Sequence, residues 1–282
     1  PFSFFRKLII ERVTINSDVN GSRDLKLQNN IGNLSPDNPF HPFGSQPSVG
    51  SYLDIKNTNI FNRFTKDFCI KMEWIDLPRN IGGWDDYYKE YHAGITNESF
   101  KVKLSALSHG KFKPPLSKRE EFNLFSVERG EFGSEILSDS SEITNIDLKK
   151  LEMPNRPLLN KEAMNSDQNF TEGAVRLEFS SPKEAFGSKI YPALLSETVI
   201  HNSKRFGTKR SMPNTPAVPV VRSITIDYTL EHSEVLLKTF NNEDSALKIV
   251  HQYPFGYGNI YPESDKQPYS FIPDFEYENN LY

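Results

Sequence analysis

Apolar and polar positions alternate in short runs separated by stretches rich in proline and glycine, the pattern of half-buried strands joined by turns. Leu8 to Asn16 alternates, with Ile9, Val13 and Ile15 on one side. Asn20-Gly21 then signals a turn, and Leu25-Lys26-Leu27-Gln28 reads as a short return strand. Residues 29–50 carry prolines at 36, 39, 42 and 47 and read as a folded-back loop, because proline cannot donate to a ladder. Phe68, Ile70, Met72 and Trp74 face one way along a strand that ends at Asp76-Leu77-Pro78. Phe100 to Leu107 alternates again and closes at His109-Gly110, and Phe122 to Val127 makes another short strand. Val175 to Phe179 and Val220 to Leu230 complete the strand signals.

Two segments change to a helical period. In residues 84–92, Trp84, Tyr87, Tyr88 and Tyr91 recur at the spacing that shares one helix face. Inside 184–204, Ile190, Leu194, Leu195, Val199 and Ile200 do the same, with Pro192 in or near the first turn. Met212 to Pro219 is held extended by its three prolines. Residues 128–170, dominated by Ser, Asp, Glu and Asn, read as a long polar connection ordered only in part against its neighbours.

These signals predict a mainly β protein: two or more sandwich-like units with long proline- and glycine-rich loops, one short helix and one longer helix. Residues 1–127 form a first β unit, 128–172 a connection, and 173–219 a strand, a helix and a proline-rich linker. Residues 220–282 begin a second unit. Arg12-Val13-Thr14-Ile15-Asn16 leads through polar sequence to His41-Pro42-Phe43-Gly44, and Ser223-Ile224-Thr225-Ile226-Asp227 leads likewise to His251 and Pro254-Phe255-Gly256. A duplicated module, cut short the second time, explains both and makes the sequence look like an excerpt of a longer protein. Chance is the other explanation, since β alternation is common and the turn match is short.

Composition narrows the function classes. The apolar share is 37%, low for a compact enzyme core, while 21 Phe and 12 Tyr supply thin layers and interfaces. A net charge of −4 gives no field for nucleic acid. No run is long and apolar enough to span a membrane. The single cysteine, Cys69, sits in an apolar run and reads as core.

No catalytic constellation emerges. The six histidines include no pair at helical zinc spacing. Asp85 and Asp86 are sequence neighbours that point apart on a helix, a poor acid–base pair. Asn16 to Gly21 copies the start of a calcium loop, but Leu27 stands where the bidentate Glu belongs. No metal and no cofactor are expected.

The segment Asn38-Pro39-Phe40-His41-Pro42-Phe43-Gly44-Ser45-Gln46-Pro47-Ser48-Val49-Gly50-Ser51 resembles the Pro-Phe-Gly-x-x-Pro-x-x-Gly-Ser motif of large baseplate proteins of phage-tail-like contractile injection systems. Glu73-Trp74-Ile75-Asp76-Leu77-Pro78, followed by Tyr87, Tyr88 and Tyr91, continues the likeness, as do Pro213-Asn214, Pro216 and Pro254-Phe255-Gly256. It touches roughly residues 8–110 and 173–282. The resemblance implies a wedge subunit, the larger of two, packed with other baseplate proteins around a sixfold axis and carrying no catalytic residues. It would be made in the bacterial cytoplasm and assembled into a particle, with release outside the cell left open.

Proline fixes φ, glycine admits positive φ, and the turn aims the phenylalanine between them. Pro42, Phe43, Gly44 and Pro254, Phe255, Gly256 are therefore candidate pins, holding long loops internally or anchoring a neighbour. Trp74, Trp84, Tyr87, Tyr88 and Tyr91, with Tyr253, Tyr257 and Tyr261, are candidate interface residues. They either pack a short helix on a sheet or, exceeding its needs, are covered in part by another chain. A carbohydrate- or surface-binding module of a tail fibre or adhesin, using Trp74 or Trp84 as a platform, is the alternative.

Overall fold

The structure, a computed structural model, describes residues 12–79, 82–129, 135–151, 153, 173–236, 250–253 and 256–259. It is mainly β, built from several antiparallel sheets with one short and one longer helix. The chain divides into a larger unit, Asp18–Leu158 with Glu162–Leu230, and a smaller one that includes Glu231–Tyr282.

Four strands, β1 (Arg12–Ser22), β5 (Thr65–Ile75), β11 (Ser140–Ile143) and β13 (Val220–Leu236), make a sheet ordered β1-β13-β5-β11. A second sheet runs β3 (Asn33–Leu34), β2 (Lys26–Asn29), β4 (Tyr52–Lys56), β12 (Ala174–Ser181), β6 (Lys101–Ser108) and β7 (Lys111–Lys113), with β8 (Glu121–Asn123) also paired to β6. Inward residues of both enter one hydrophobic core: Phe68, Ile70, Met72 and Trp74 from β5, and Val175, Leu177 and Phe179 from β12. The strict alternation of β5 follows from this, since every second side chain leaves water. His109 and Gly110 take positive φ between β6 and β7, the backbone that a two-residue hairpin turn demands.

Several expectations change. Asn20-Gly21 does not turn, because β1 runs on to Ser22 beside β13. The Gly21 amide donates to Asp227 Oδ1 (2.6 Å) and the Thr229 hydroxyl to Asp18 Oδ1 (2.7 Å), so the partner strand keeps this stretch in the sheet even though Gly21 takes positive φ. Val220–Leu230 pairs antiparallel with β5, with breaks in register between Val221 and Ser223 and between Thr229 and Leu230. The two similar strands, β1 and β13, are neighbours in one sheet. The connection at 128–170 contains β10 (Glu135–Leu137), paired with β9 (Val127–Arg129), and β11, paired with β5. Its sparse apolar residues Leu137, Ile143, Ile146 and Leu151 all reach the core.

The short helix is α1 (Gly83–Tyr87), continued by a 3-10 turn at Lys89–Tyr91, and the longer is α2 (Tyr191–Ser203) with Pro192 in its first turn. α2 sits on the core through Tyr191, Leu194 and buried Thr198. Val199 and Ile200, expected on its inner face, lie outside that stripe and are exposed. In the smaller unit, β14 (Val250–Tyr253) pairs with β15 (Gly256–Asn259) as a hairpin. No helix among the described residues is long and apolar enough to cross a membrane.

Candidate functional site

The densest chemistry in the larger unit is a block of aromatic side chains closed by a proline-rich segment. Its seat is α1, and that helix starts where it does because of glycine. Gly82 and Gly83 both take positive φ, and a Cβ on Gly83 would meet Asn97 Oδ1 at 2.5 Å and Leu137 at 3.0 Å. The residue at the helix start offers no side-chain cap, so Asn97 supplies one from a distant loop, its Oδ1 accepting the Trp84 amide at 2.8 Å. Its own amide donates to Asp85 Oδ2. Burial lifts the Asp85 carboxyl above its ordinary range, against that amide, and Glu135 and Glu98 add to the lift.

Trp84 is the centre. It stacks on Tyr88 (5.6 Å between ring centroids) and meets Phe100 at 5.0 Å and Phe125 at 5.3 Å. Phe125 also touches Trp74 at 4.9 Å, which joins the two tryptophans. Phe100 stacks on Phe186 (4.7 Å), Phe186 meets Phe179 (5.5 Å), and Phe179 meets Phe43 (5.6 Å). One continuous aromatic path therefore runs from the Pro-Phe-Gly turn to the end of β5. The Trp84 indole N–H is buried with no hydrogen-bond acceptor among the described residues.

Pro42, Phe43 and Gly44 are all buried. Phe40, just upstream, exchanges both backbone hydrogen bonds with Val221, and His41 Nδ1 lies 3.2 Å from the Pro219 carbonyl. Gly44 takes the positive φ that favours glycine, and a Cβ there would meet the tip of the Ile31 side chain at 2.8 Å. Phe43 packs on Phe179 of β12, while Phe40 and His41 reach Val221 and Pro219 at the start of β13.

The tyrosines close the block from the other side. Prolines 213, 216 and 219 deny that segment a regular ladder, so its carbonyls need donors from elsewhere. Tyr91 donates its hydroxyl to the Asn214 carbonyl (2.6 Å) and Tyr87 to that of Thr215 (2.9 Å). Tyr88 donates to the Phe186 carbonyl (3.0 Å) and accepts from the Ala217 amide (3.3 Å). Asn214 returns a bond from Nδ2 to the Tyr87 carbonyl (2.8 Å). Burial raises the Tyr88 and Tyr91 hydroxyls well above their ordinary value, so both remain neutral donors. Gly187 lies flat on the Tyr91 ring, where any Cβ would collide.

The interface candidates divide accordingly. Trp74, Trp84, Tyr88 and Tyr91 are 2%, 0%, 1% and 5% exposed, so the surplus aromatic area expected at 74–91 is covered by this chain itself. The physical reason is that Phe100, Phe125, Phe186 and the 213–217 segment, remote in sequence, converge on them. Tyr87 alone of the five keeps partial exposure. Tyr253 and Tyr257 stand on the β14–β15 ladder, Tyr253 opposite Gly256 and Tyr257 opposite Gln252. Pro254, Phe255 and Tyr261 lie outside the described residues.

The tyrosine hydroxyls and the Asn97 and Asn214 side chains of the block hold backbone, which suits rigidity. Among the described residues no group of three or more His, Cys, Asp or Glu side chains could hold a metal ion. Cys69, half-buried on β5, has its thiol pushed up to about 11 by burial and by Glu142, which leaves it protonated at neutral pH. Sequence reasoning missed Asn97, Phe186 and the carbonyls of Asn214 and Thr215. The recurrent prolines 213, 216 and 219 were the available signal, for they mark backbone that must be bonded by side chains.

Residues 6–140 match the family model described as Baseplate protein PVC11-like. The match supports a baseplate protein of a phage-tail-like contractile injection system. It spans five of the seven rings of the aromatic path, Phe43, Trp74, Trp84, Phe100 and Phe125. No curated protein matches the chain.

Proposed function

We propose, with that family match as the premise, that the chain is a wedge component of the baseplate, non-enzymatic, holding neighbouring subunits in a sixfold assembly and relaying the trigger for contraction. A structural baseplate role has the family's support. The observation that carries the finer reading is the continuous aromatic path from Phe43 to Trp74, tied to the 213–217 segment by tyrosine hydroxyls. A subunit that passes on a displacement must not absorb it by local repacking. Close-packed rings with committed hydroxyls resist that better than surface ion pairs, which contribute about 0–1 kcal/mol each.

The carbohydrate-binding alternative loses its support, because it needed Trp74 or Trp84 as an open platform and both are buried. The test is particle composition. Purified particles should contain the full-length protein in a multiple of six copies, and deletion of its gene should leave sheath and tube unassembled into particles. A protein absent from particles, or present in copy numbers that six does not divide, would overturn the wedge reading.

A further inference from the structure

Four of the seven large apolar side chains that stand exposed among the described residues fall within one short stretch: Val199, Ile200, Phe206 and Met212. Phe206 is 85% exposed, at the tip of the loop that follows α2. That loop is tied at its base. Asn202 brackets Arg210, its Nδ2 donating to the Arg210 carbonyl (2.9 Å) and its Oδ1 accepting the Arg210 amide (2.8 Å). Lys209 Nζ donates to the carbonyls of Lys204 and Asn202 and so caps the helix end, and Arg210 pairs with Glu197 at 2.9 Å. Gly207, at φ 127, lets the chain reverse directly after Phe206. An aromatic ring is thus presented outward on a braced loop, which removes much of the ordering cost of binding.

The charge of the stretch is one-sided. From Thr198 to Ile226 there is no Asp or Glu, while Lys204 and Arg205 flank Phe206 and form no ion pair among the described residues. The Arg205 guanidinium stays 5.7 Å from the Phe206 ring, beside the anchor. The loop cations that pair with no carboxylate among the described residues are Lys204, Arg205 and Lys209, the last committed to backbone carbonyls. These are too few to track phosphates on a nucleic acid or to make the polybasic cluster that holds a protein to an anionic membrane. Two cations around one rigid aromatic do suit a protein surface with an apolar pocket rimmed by carboxylates.

We infer that the Phe206 loop and the outer face of α2 are a docking surface for an acidic, apolar-pocketed segment of a partner protein, with Phe206 as the anchor and Lys204 and Arg205 selecting the charge. The inference does not depend on the wedge reading. The experiment places the photo-crosslinking residue benzoylphenylalanine at position 206 of the full-length protein in the cells that produce it. Adducts are identified by mass spectrometry, separately in purified particles and in the particle-free fraction. The expected adduct is to a protein, within a peptide whose apolar residues are flanked by Asp or Glu. Its yield should fall about tenfold or more in Lys204→Glu/Arg205→Glu, because like charges then face one another, and persist in Lys204→Arg/Arg205→Lys. Adducts to lipid or nucleic acid alone, no adduct, or a protein adduct indifferent to the charge reversal would overturn the proposal. An adduct of the expected kind found only outside particles would sustain it while the wedge reading failed.

Discussion

The two helices invert what their sequences advertise. α1 and its 3-10 extension hold the densest aromatic cluster in the larger unit, yet Trp84, Tyr88 and Tyr91 vanish into the chain's own core. α2 carries fewer and more ordinary apolar residues, yet leaves Val199 and Ile200 in water beside an open Phe206. The difference lies in what each region finds to cover it. Around α1, Phe100, Phe125 and Phe186 supply ring contacts and the 213–217 backbone supplies hydroxyl acceptors. Around α2, the stripe Tyr191, Leu194, Thr198 seats the helix, and among the described residues Val199 and Ile200 on the other side stay exposed. Aromatic density therefore locates the core here, and modest aliphatic exposure locates the surface open to a partner.

The largest test of that contrast is Trp84→Ala. Emptying the centre of the ring network should cost about 3–5 kcal/mol of stability, read from urea denaturation of the protein. A loss near that of a surface substitution would mean that the aromatic block is not the core. Gly187→Ala should follow at about 1–3 kcal/mol, because a methyl must displace the Tyr91 ring and positive φ adds strain. Unchanged melting would show that Tyr91 does not press on that turn.

A third test uses alkali. Burial holds the Tyr88 and Tyr91 hydroxyls above the ordinary value of 10.0. The unfolded chain therefore gives up these protons first. Stability from this source is complete below about pH 10 and is lost as pH rises from there towards the folded-state values. Tyrosinate absorbance should show some of the 12 tyrosines titrating early and at least two only together with unfolding. A single smooth titration of all of them, ahead of unfolding, would contradict the buried clamp. At the other end of the scale, Ile200→Ser and Phe206→Ser should leave stability within about 0.5 kcal/mol of the parent. A large loss would place α2's outer face in the core after all.

Much of this was legible in the sequence, and the limits have a physical pattern. β5 declared its inner face because period-two alternation survives wherever a strand has one wet side. The His109-Gly110 hairpin and Pro192 in the first turn of α2 were equally readable, because backbone restrictions act locally. What escaped was every feature set by a remote partner. Asn20-Gly21 has turn chemistry, yet β13 and Asp227 keep it in a strand. Ile143 looked like an isolated apolar stop until β5 paired with it. Trp84 and Tyr88 could not be separated from interface residues by composition, since only long-range packing decides whether a ring is covered by its own chain. The helical spacing of Val199 and Ile200 was real, but spacing alone does not say which stripe is seated.

The segment from Pro213 to Pro219 has one more consequence, and it is mechanical. Each residue in it is a proline, precedes a proline, or lies between two such constraints, so little slack remains to be drawn out. At its amino end is the braced loop of Phe206, and at its other end Val220 enters β13 beside β5. A pull on that loop would travel along a taut tether and load the ladder along its length. Strands loaded in this way must break many hydrogen bonds together, whereas a peeled edge yields them one at a time. The tyrosine hydroxyls then act as guides that keep the tether straight.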